Sequence, residues 1–242
     1  MASKFTDRSF QPELMDDPDV PRDLLYKNLR ELDFLNRYTL GHQISIRALE
    51  KLLPATNGTV HVVDLGCGSG DTLKHMARWA RKNQIDARFT GIDNNPDIIA
   101  YLREHCKDYP EIKGIETTYR EYLSANEEVD IYHCSLFAHH LENDELLDLF
   151  SHFRKHPRFG FVISDILRSR FAYYGSIILT RLGNGTSLSR NDGPVSVLKG
   201  FRINEIRDLL EKAGISDYDL RTAMGFRFIL SGRSNAQTTS ND

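Results

Sequence analysis

The chain is short of several things at once. It has three cysteines in 242 residues, Cys67, Cys106 and Cys134, with no C-x-x-C pair. That excludes a disulfide framework and a cysteine metal site, and it suits a reducing compartment. No apolar run approaches the roughly 18 residues read as a membrane span, and the longest candidate, Ala172 to Leu179, is far shorter. Met1 to Phe10 carry no apolar signal core. The expectation is a cytoplasmic protein with no stable membrane insertion. Charge is not in excess either: a net charge of −3 offers no long-range attraction to nucleic acid. The basic run Arg154-Lys155-His156-Pro157-Arg158 reads as a solvated helix end. H-E-x-x-H, a P-loop lysine and a G-x-S-x-G elbow are all missing. His152 and His156 stand four apart with no nearby carboxylate in the sequence, so no metal is expected.

What is present is an ordinary globular composition, 40% hydrophobic and 27% charged, in a chain long enough for one α/β domain. Residues up to about Asp19 read as loosely ordered. Leu24 to Leu53 carry apolar residues at helical spacing, broken near Gly41. From Val60 the pattern alternates. Strands are expected at Val60–Leu65, Ala87–Asp93, Ile115–Thr118, Val129–Cys134, Phe159–Ile166, Tyr218–Ala223 and Phe226–Ser231. Helices are expected at Asp71–Asn83, Pro96–Lys107, Asp144–His156 and Ile203–Ala213. Such alternation implies a mostly parallel sheet with helices on both faces. Only Met224-Gly225 separates the last two strands, which should therefore form a hairpin. The polar tail, 233–242, reads as disordered.

The densest information lies in Val62-Val63-Asp64-Leu65-Gly66-Cys67-Gly68-Ser69-Gly70. A buried strand ends in an acid, three glycines follow at every second position, and a helix begins at Asp71. Glycine lets backbone approach a ligand closely and permits the positive φ of tight turns. A dinucleotide site wants G-x-G-x-x-G with a pyrophosphate on the helix N-terminus. Here Asp71 takes the third glycine's place, and a carboxylate there repels a pyrophosphate. Asp64 and Asp71 together suit a ligand that carries positive charge. A second acid, Asp93, ends the next strand, where a carboxylate can accept two hydrogen bonds from a ribose diol or merely cap the helix begun by Asn94-Asn95-Pro96.

With Asp64, Gly66, Gly68 and Gly70 in this pattern, the chain resembles the class I S-adenosylmethionine-dependent methyltransferases. The segment Ser135-Leu136-Phe137-Ala138-His139-His140-Leu141 is similar to that of the ubiquinone- and menaquinone-biosynthesis type. The resemblance implies a Rossmann-like α/β fold with a seven-stranded, mostly parallel sheet closed by an antiparallel hairpin. It implies an N-terminal helical lid over 1–56 and a catalytic domain over 57–232. S-adenosylmethionine would be the methyl donor and S-adenosylhomocysteine (SAH) the product. Donor contacts would come from Asp64, Gly66, Cys67, Gly68, Gly70, Asp93, Asn94 and Ser135. Many relatives place an acid after the third strand; here Thr118 or Tyr119 would meet the adenine instead. Arg37, in Leu35-Asn36-Arg37-Tyr38, would hold the donor carboxylate, or else form a surface ion pair.

The acceptor is expected to be small and apolar or aromatic, methylated on a phenolic, quinol-like or polyketide-like oxygen, with carbon methylation the alternative. His139 or His140 would serve as general base, or would merely open a helix. Asp165 is a further candidate, unless it pairs with Arg168. The long segment 167–200 should help form the acceptor pocket, or be a helix packed on the amino-terminal ones. From other classes, an NAD-dependent oxidoreductase and a non-catalytic binding protein of the same fold stay open. Oligomeric state is not legible.

Overall fold

The computed structural model describes residues 4–53 and 58–235. Its frame is one seven-stranded sheet: β1 (Val60–Leu65), β2 (Ala87–Asp93), β3 (Ile112–Glu116), β4 (Ile131–Ser135), β5 (Gly160–Ile166), β6 (Tyr218–Ala223) and β7 (Arg227–Arg233). The strand order is β3-β2-β1-β4-β5-β7-β6, with β7 antiparallel to both neighbours and the other pairings parallel. Every residue of β1 is buried, as expected of a central parallel strand covered on both faces. The chain reverses between β1 and β4, so their carboxyl ends face a crevice, the usual ligand position in such sheets.

Nine α-helices are described: α1 (Arg22–Tyr38), α2 (Gly41–Glu50), α3 (Asp71–Lys82), α4 (Pro96–His105), α5 (Tyr119–Ser124), α6 (Asn143–Lys155), α7 (Arg170–Leu182), α8 (Ser187–Lys199) and α9 (Ile203–Lys212). One apolar cluster joins α2, α3 and α4 to one face of the sheet through Val62, Ile131 and Val162. Another joins α6 and α9 to the opposite face through Val63, Tyr132 and Phe161. Helix α2 thus covers β5 and β7 as part of the layer, while α1 and the α7–α8 pair stand over the strand ends.

Several local expectations need correction. The third strand ends at Glu116, because Thr118 instead caps α5 by accepting from the Glu121 amide while the Glu121 side chain accepts from the Thr118 amide. The fourth strand starts at Ile131 and runs to Ser135. The hairpin loop has three residues, Met224-Gly225-Phe226, with Met224 and Gly225 left-handed at φ 57° and 75°. Segment 167–200 is two packed helices where the sequence left a single helix open. Helix α8 holds Gly193 and Pro194, poor helix formers, yet Thr186 caps it and Leu188, Val195 and Val197 are buried.

The stretch before Asp19 is also not loose. Phe5 and Glu13 are buried, and Leu14–Asp16 form a one-turn helix. That turn is held by Asp192 of α8, whose carboxylate accepts from the Leu14 and Met15 amides at 2.8 and 3.0 Å. At the other end, Arg233 belongs to β7, and the Ser234 hydroxyl donates to the Pro157 carbonyl at 2.5 Å; residues 236–242 of the expected disordered tail lie outside the described residues.

Candidate active site

A cavity of about 980 Å³ opens over the carboxyl ends of β1, β2, β4 and β5, walled by α1, α7, α8 and the amino-terminal segment. Small-molecule sites span about 300–1,000 Å³, so there is room for two ligands side by side. Of the residues singled out in the sequence, Asp64, Gly66, Cys67, Gly68, Asp93, Asn94, Thr118, Tyr119, Ser135, His139 and His140 line it.

The floor is the glycine turn. Gly66, Gly68 and Gly70 sit at φ 68°, 53° and 75°, the left-handed region where a β-carbon is costly. The Gly66 and Cys67 amides donate to the Ile92 carbonyl at 2.9 and 3.0 Å, which ties the turn to β2. A β-carbon on Gly66 would lie 2.2 Å from Phe137 Cδ2, whereas one on Gly68 would meet open space. Gly68 is thus free to take a ligand against its backbone. Gly70 does not line the cavity; it packs against Leu102 and Cys106.

Asp93 accepts from the Gly68 amide at 3.3 Å and the Asn95 amide at 3.0 Å. Burial nonetheless pushes its carboxyl up to about 6, the two amides opposing. The cap of α4 is Asn95, which accepts from the Asp97 and Ile98 amides.

The first-motif acids both have protein partners. Asp64 Oδ1 is 2.6 Å from His133 Nδ1, and His133 Nε2 is 3.0 Å from Ser45 Oγ, a buried chain from β1 to α2. Asp71 meets His105 Nε2 at 2.7 Å and the Ser69 hydroxyl. Burial works to raise its carboxyl, but these hydrogen bonds outweigh it and hold Asp71 low, hence ionised. Tyr119 lies edge-on to Phe137, its hydroxyl donating to Glu145 at 3.1 Å. Arg37 does not line the cavity. Its side chain is half exposed and pairs with Asp33 at 2.9 Å, one turn back on α1.

Past β4 the chain is strained. Leu136 is left-handed at φ 55°, costly for a branched residue, and its amide is pinned by the Ser164 carbonyl at 3.0 Å. This kink sends Ala138–His140 into a one-turn helix. His139 then points its Nδ1 at Asp165 Oδ1, 2.7 Å away, and donates its own amide to Oδ2 at 3.1 Å. Asp165 does not pair with Arg168, which is claimed by Glu205 and by the Phe5, Thr6 and Gly200 carbonyls.

The sequence reading missed Glu13. Its Oε1 is 3.5 Å from His139 Nε2, and neither buried atom has a hydrogen-bond partner. The Lys199 ammonium lies 3.2 Å from that oxygen and 3.1 Å from His140 Nδ1. Glu13, His139 and His140 are spaced as a metal triad, but Lys199 already supplies a positive charge among them. Burial alone would lower the His139 imidazole; Asp165 and then Glu13 overcome it and push it up to about 9. Glu13 in turn is brought down to about 2, since His139 and Lys199 outweigh its burial. Arg8 ties this segment down, donating to the His139, Leu141 and Lys199 carbonyls at 3.0, 2.9 and 2.9 Å.

Away from the glycine turn the wall is largely apolar, with Leu29, Leu32 and Leu35 of α1 and Phe171, Ile178 and Leu179 of α7 among its lining. Phe171, Ile178 and Leu182 are more than half exposed, so the apolar lining continues to the mouth. No helix among the described residues is long and apolar enough to cross a membrane.

Residues 62–160 match the family described as "Methyltransferase domain". No curated protein matches the chain. Among solved structures, the plantazolicin methyltransferase BpumL in complex with SAH superposes with a TM-score of 0.63 at 13% identity, over 91% of this chain and 98% of that one. Human N-acetylserotonin methyltransferase in complex with S-adenosylmethionine gives 0.58 at 16% identity, over 94% of this chain and 63% of that one. Magnesium protoporphyrin IX methyltransferase from Synechocystis, with bound SAH, gives 0.55 at 16%, over 91% of this chain and 100% of that one. At such identities the likeness speaks for the fold. The match over 62–160 and the shared fold together support a methyltransferase domain that uses S-adenosylmethionine rather than a nicotinamide.

Proposed function

We propose that this S-adenosylmethionine-dependent methyltransferase methylates an oxygen on a small, largely apolar aromatic acceptor of phenol or quinol type, with His139 as general base. The observation that carries the reading is the buried His139–Asp165 pair at 2.7 Å beside an apolar cavity at the ends of β4 and β5. When bound, S-adenosylmethionine supplies a methyl group already activated for displacement.

The chain's own residues then have two tasks. Donor binding falls to the Gly66–Gly68 backbone and to Asp93, whose carboxylate suits a ribose diol; Asn94, Thr118 and Tyr119 would border the adenine. Asp64 and Asp71 contribute negative charge beneath a cationic ligand. The second task is to align the acceptor and take its proton, and alignment is worth as much as about 7–11 kcal/mol of a barrier. His139 Nε2 would accept the hydroxyl proton, while Asp165 holds the ring in place and stabilises the imidazolium that results. Lys199 and His140 would border the forming oxyanion.

Helices α1, α7 and α8 with the segment ending at Asp16 act in this reading as the lid and acceptor wall. The three cysteines are buried and unpaired, which suits the reducing cytoplasm.

The test is transfer of labelled methyl from S-adenosylmethionine to a panel of alkylphenols and alkylhydroquinones, with mass analysis of the product. An aryl methyl ether formed by the wild type, and at least a hundredfold more slowly by His139→Asn, supports the reading. A ring-methylated product would move it to carbon; equal rates for the two proteins would remove His139 as base.

A further inference from the structure

Three cations are buried around the cavity: Arg168, Lys199 and Arg227, each at most 4% exposed. The fold neutralises two of them. Arg168 pairs with Glu205 and Lys199 with Glu13. Arg227 has no such partner among the described residues. One Nη1 hydrogen reaches the Ser164 hydroxyl at 3.3 Å and one Nη2 hydrogen reaches Asn36 Oδ1 at 2.9 Å. Its Nε is buried and unbonded. A guanidinium has five N–H donors; with Nε sealed off, one hydrogen on each Nη is left over, on a side chain that lines the cavity.

A buried charge without a counter-ion is strongly unfavourable, and an apolar residue here would pack against α2 at no such cost. Burial lowers Arg227 to about 10, against the opposing charge of Asp165; it is still cationic at neutral pH. A planar fork of free N–H groups matches a carboxylate, which takes two parallel bonds.

The sheet order says which ligand brings that carboxylate. Arg227 starts β7 and is in register with Ile166 at the end of β5. Three strand spacings separate β7 from β1, and neighbouring strands lie ~4.8 Å apart, so Arg227 stands ~14 Å across the sheet from the glycine turn. Only one spacing separates it from the strand of Asp165, which carries His139. The surplus donors are therefore on the acceptor side.

We propose that Arg227 anchors a carboxylate on the acceptor, which makes the substrate class a hydroxyarene carboxylic acid with an apolar substituent. This rests on the methyltransferase reading above. Asn36 and Ser164 each take one Nη hydrogen and hold the guanidinium in place, leaving one hydrogen on each Nη for the carboxylate, and Leu32, Leu35 and Ile178 take the apolar part.

The experiment is calorimetric titration of the SAH-saturated protein with matched probes: 6-pentylsalicylate, its carboxamide, and 3-pentylphenol. The wild type should bind the carboxylate about 10–100-fold more tightly than either neutral probe, as a charge-assisted pair of bonds would give. Arg227→Met should abolish that preference and leave 3-pentylphenol and SAH binding within about threefold. Arg227→Lys, which keeps the charge without the fork, should retain a reduced preference, and it carries the test if the Met variant does not fold. SAH binding by the wild type with no carboxylate preference overturns the proposal. So does a preference that survives Arg227→Met, or a loss of SAH affinity in that variant, which would give Arg227 to the donor. No SAH binding by the wild type would remove the parent reading and this one with it.

Discussion

Replacing Glu13 with Gln should make the enzyme faster at neutral pH. His139 is held at about 9 by Asp165 and Glu13 together. Two units below that value, at pH 7, about one imidazole in a hundred is neutral and able to take a proton. Glu13, 3.5 Å from the imidazole, adds to that shift after Asp165. A neighbouring opposite charge moves a titration by roughly one to three units, and Glu13, the lesser of the two partners, is assigned about one. Its neutral isostere should therefore bring the acid limb of kcat/KM down from about 9 to roughly 8, raising the competent fraction at pH 7 about tenfold. The weaker base gives back part of the gain, leaving about three- to tenfold. The assay is kcat/KM from pH 5.5 to 10 with labelled donor, since kcat/KM reports the free enzyme, in which Glu13 faces His139. A limb that stays put in Glu13→Gln would refute the assigned coupling. A wild-type limb in the ordinary histidine range would refute the elevated His139 itself.

Further outcomes follow from the same geometry. Asp93 titrates near 6, and only its ionised form offers both oxygens to a diol, so SAH affinity should rise as pH increases through 6 and level off above 7; Asp93→Asn should bind weakly with no such rise, as calorimetry at several pH values would reveal. Gly66→Ala places a methyl group 2.2 Å from Phe137 at φ 68°, so it should cost about 1–3 kcal/mol of stability and abolish SAH binding, measurable by denaturant melts and titration. His139 also predicts a stability profile. Its folded value, about 9, lies above the ordinary histidine value of 6.5, so its stabilising contribution is complete below 6.5 and fades as pH rises through 9. The Tm difference between wild type and His139→Gln should shrink over that interval, and a constant difference would count against the assignment.

The parts of this molecule that were legible in its sequence are those whose physics is local. Parallel strands buried on both faces must be apolar runs, so β1, β2 and β5 stand out. Three alternating glycines announce a turn that other residues disfavour, and Asp93 announces itself by ending a strand. Helix α8 was not legible, because Gly193, Pro194 and a run of polar residues argue against a helix there. What stabilises α8 is distant: Ser189 donates to Asn28 of α1 at 2.7 Å, and Thr186 accompanies it. Glu13 was hidden for the same reason. Nothing in its own neighbourhood has a period, and Arg8 positions the segment through carbonyls more than 130 residues away.

Arg227 shows the same limit from another direction. At the start of a hairpin strand an arginine reads as a solvated surface residue, and it is the packing of α2 over β5 and β7, with Asn36 of α1 beside it, that buries it. Gly41 belongs to that packing. A β-carbon there would stand 2.8 Å from Arg227 Nη1, and the preceding Leu40 takes the left-handed conformation at φ 53° to turn α1 into α2. The glycine that reads as a break between two helices is thus also the space into which the guanidinium fits. Gly41→Ala would push on that side chain without touching the donor floor or the His139–Asp165 pair. If Arg227 serves the acceptor, the variant should raise KM for a carboxylate-bearing acceptor several-fold while donor KM stays level. A matching rise for neutral phenols would mean that the helix junction, not the guanidinium, had been disturbed.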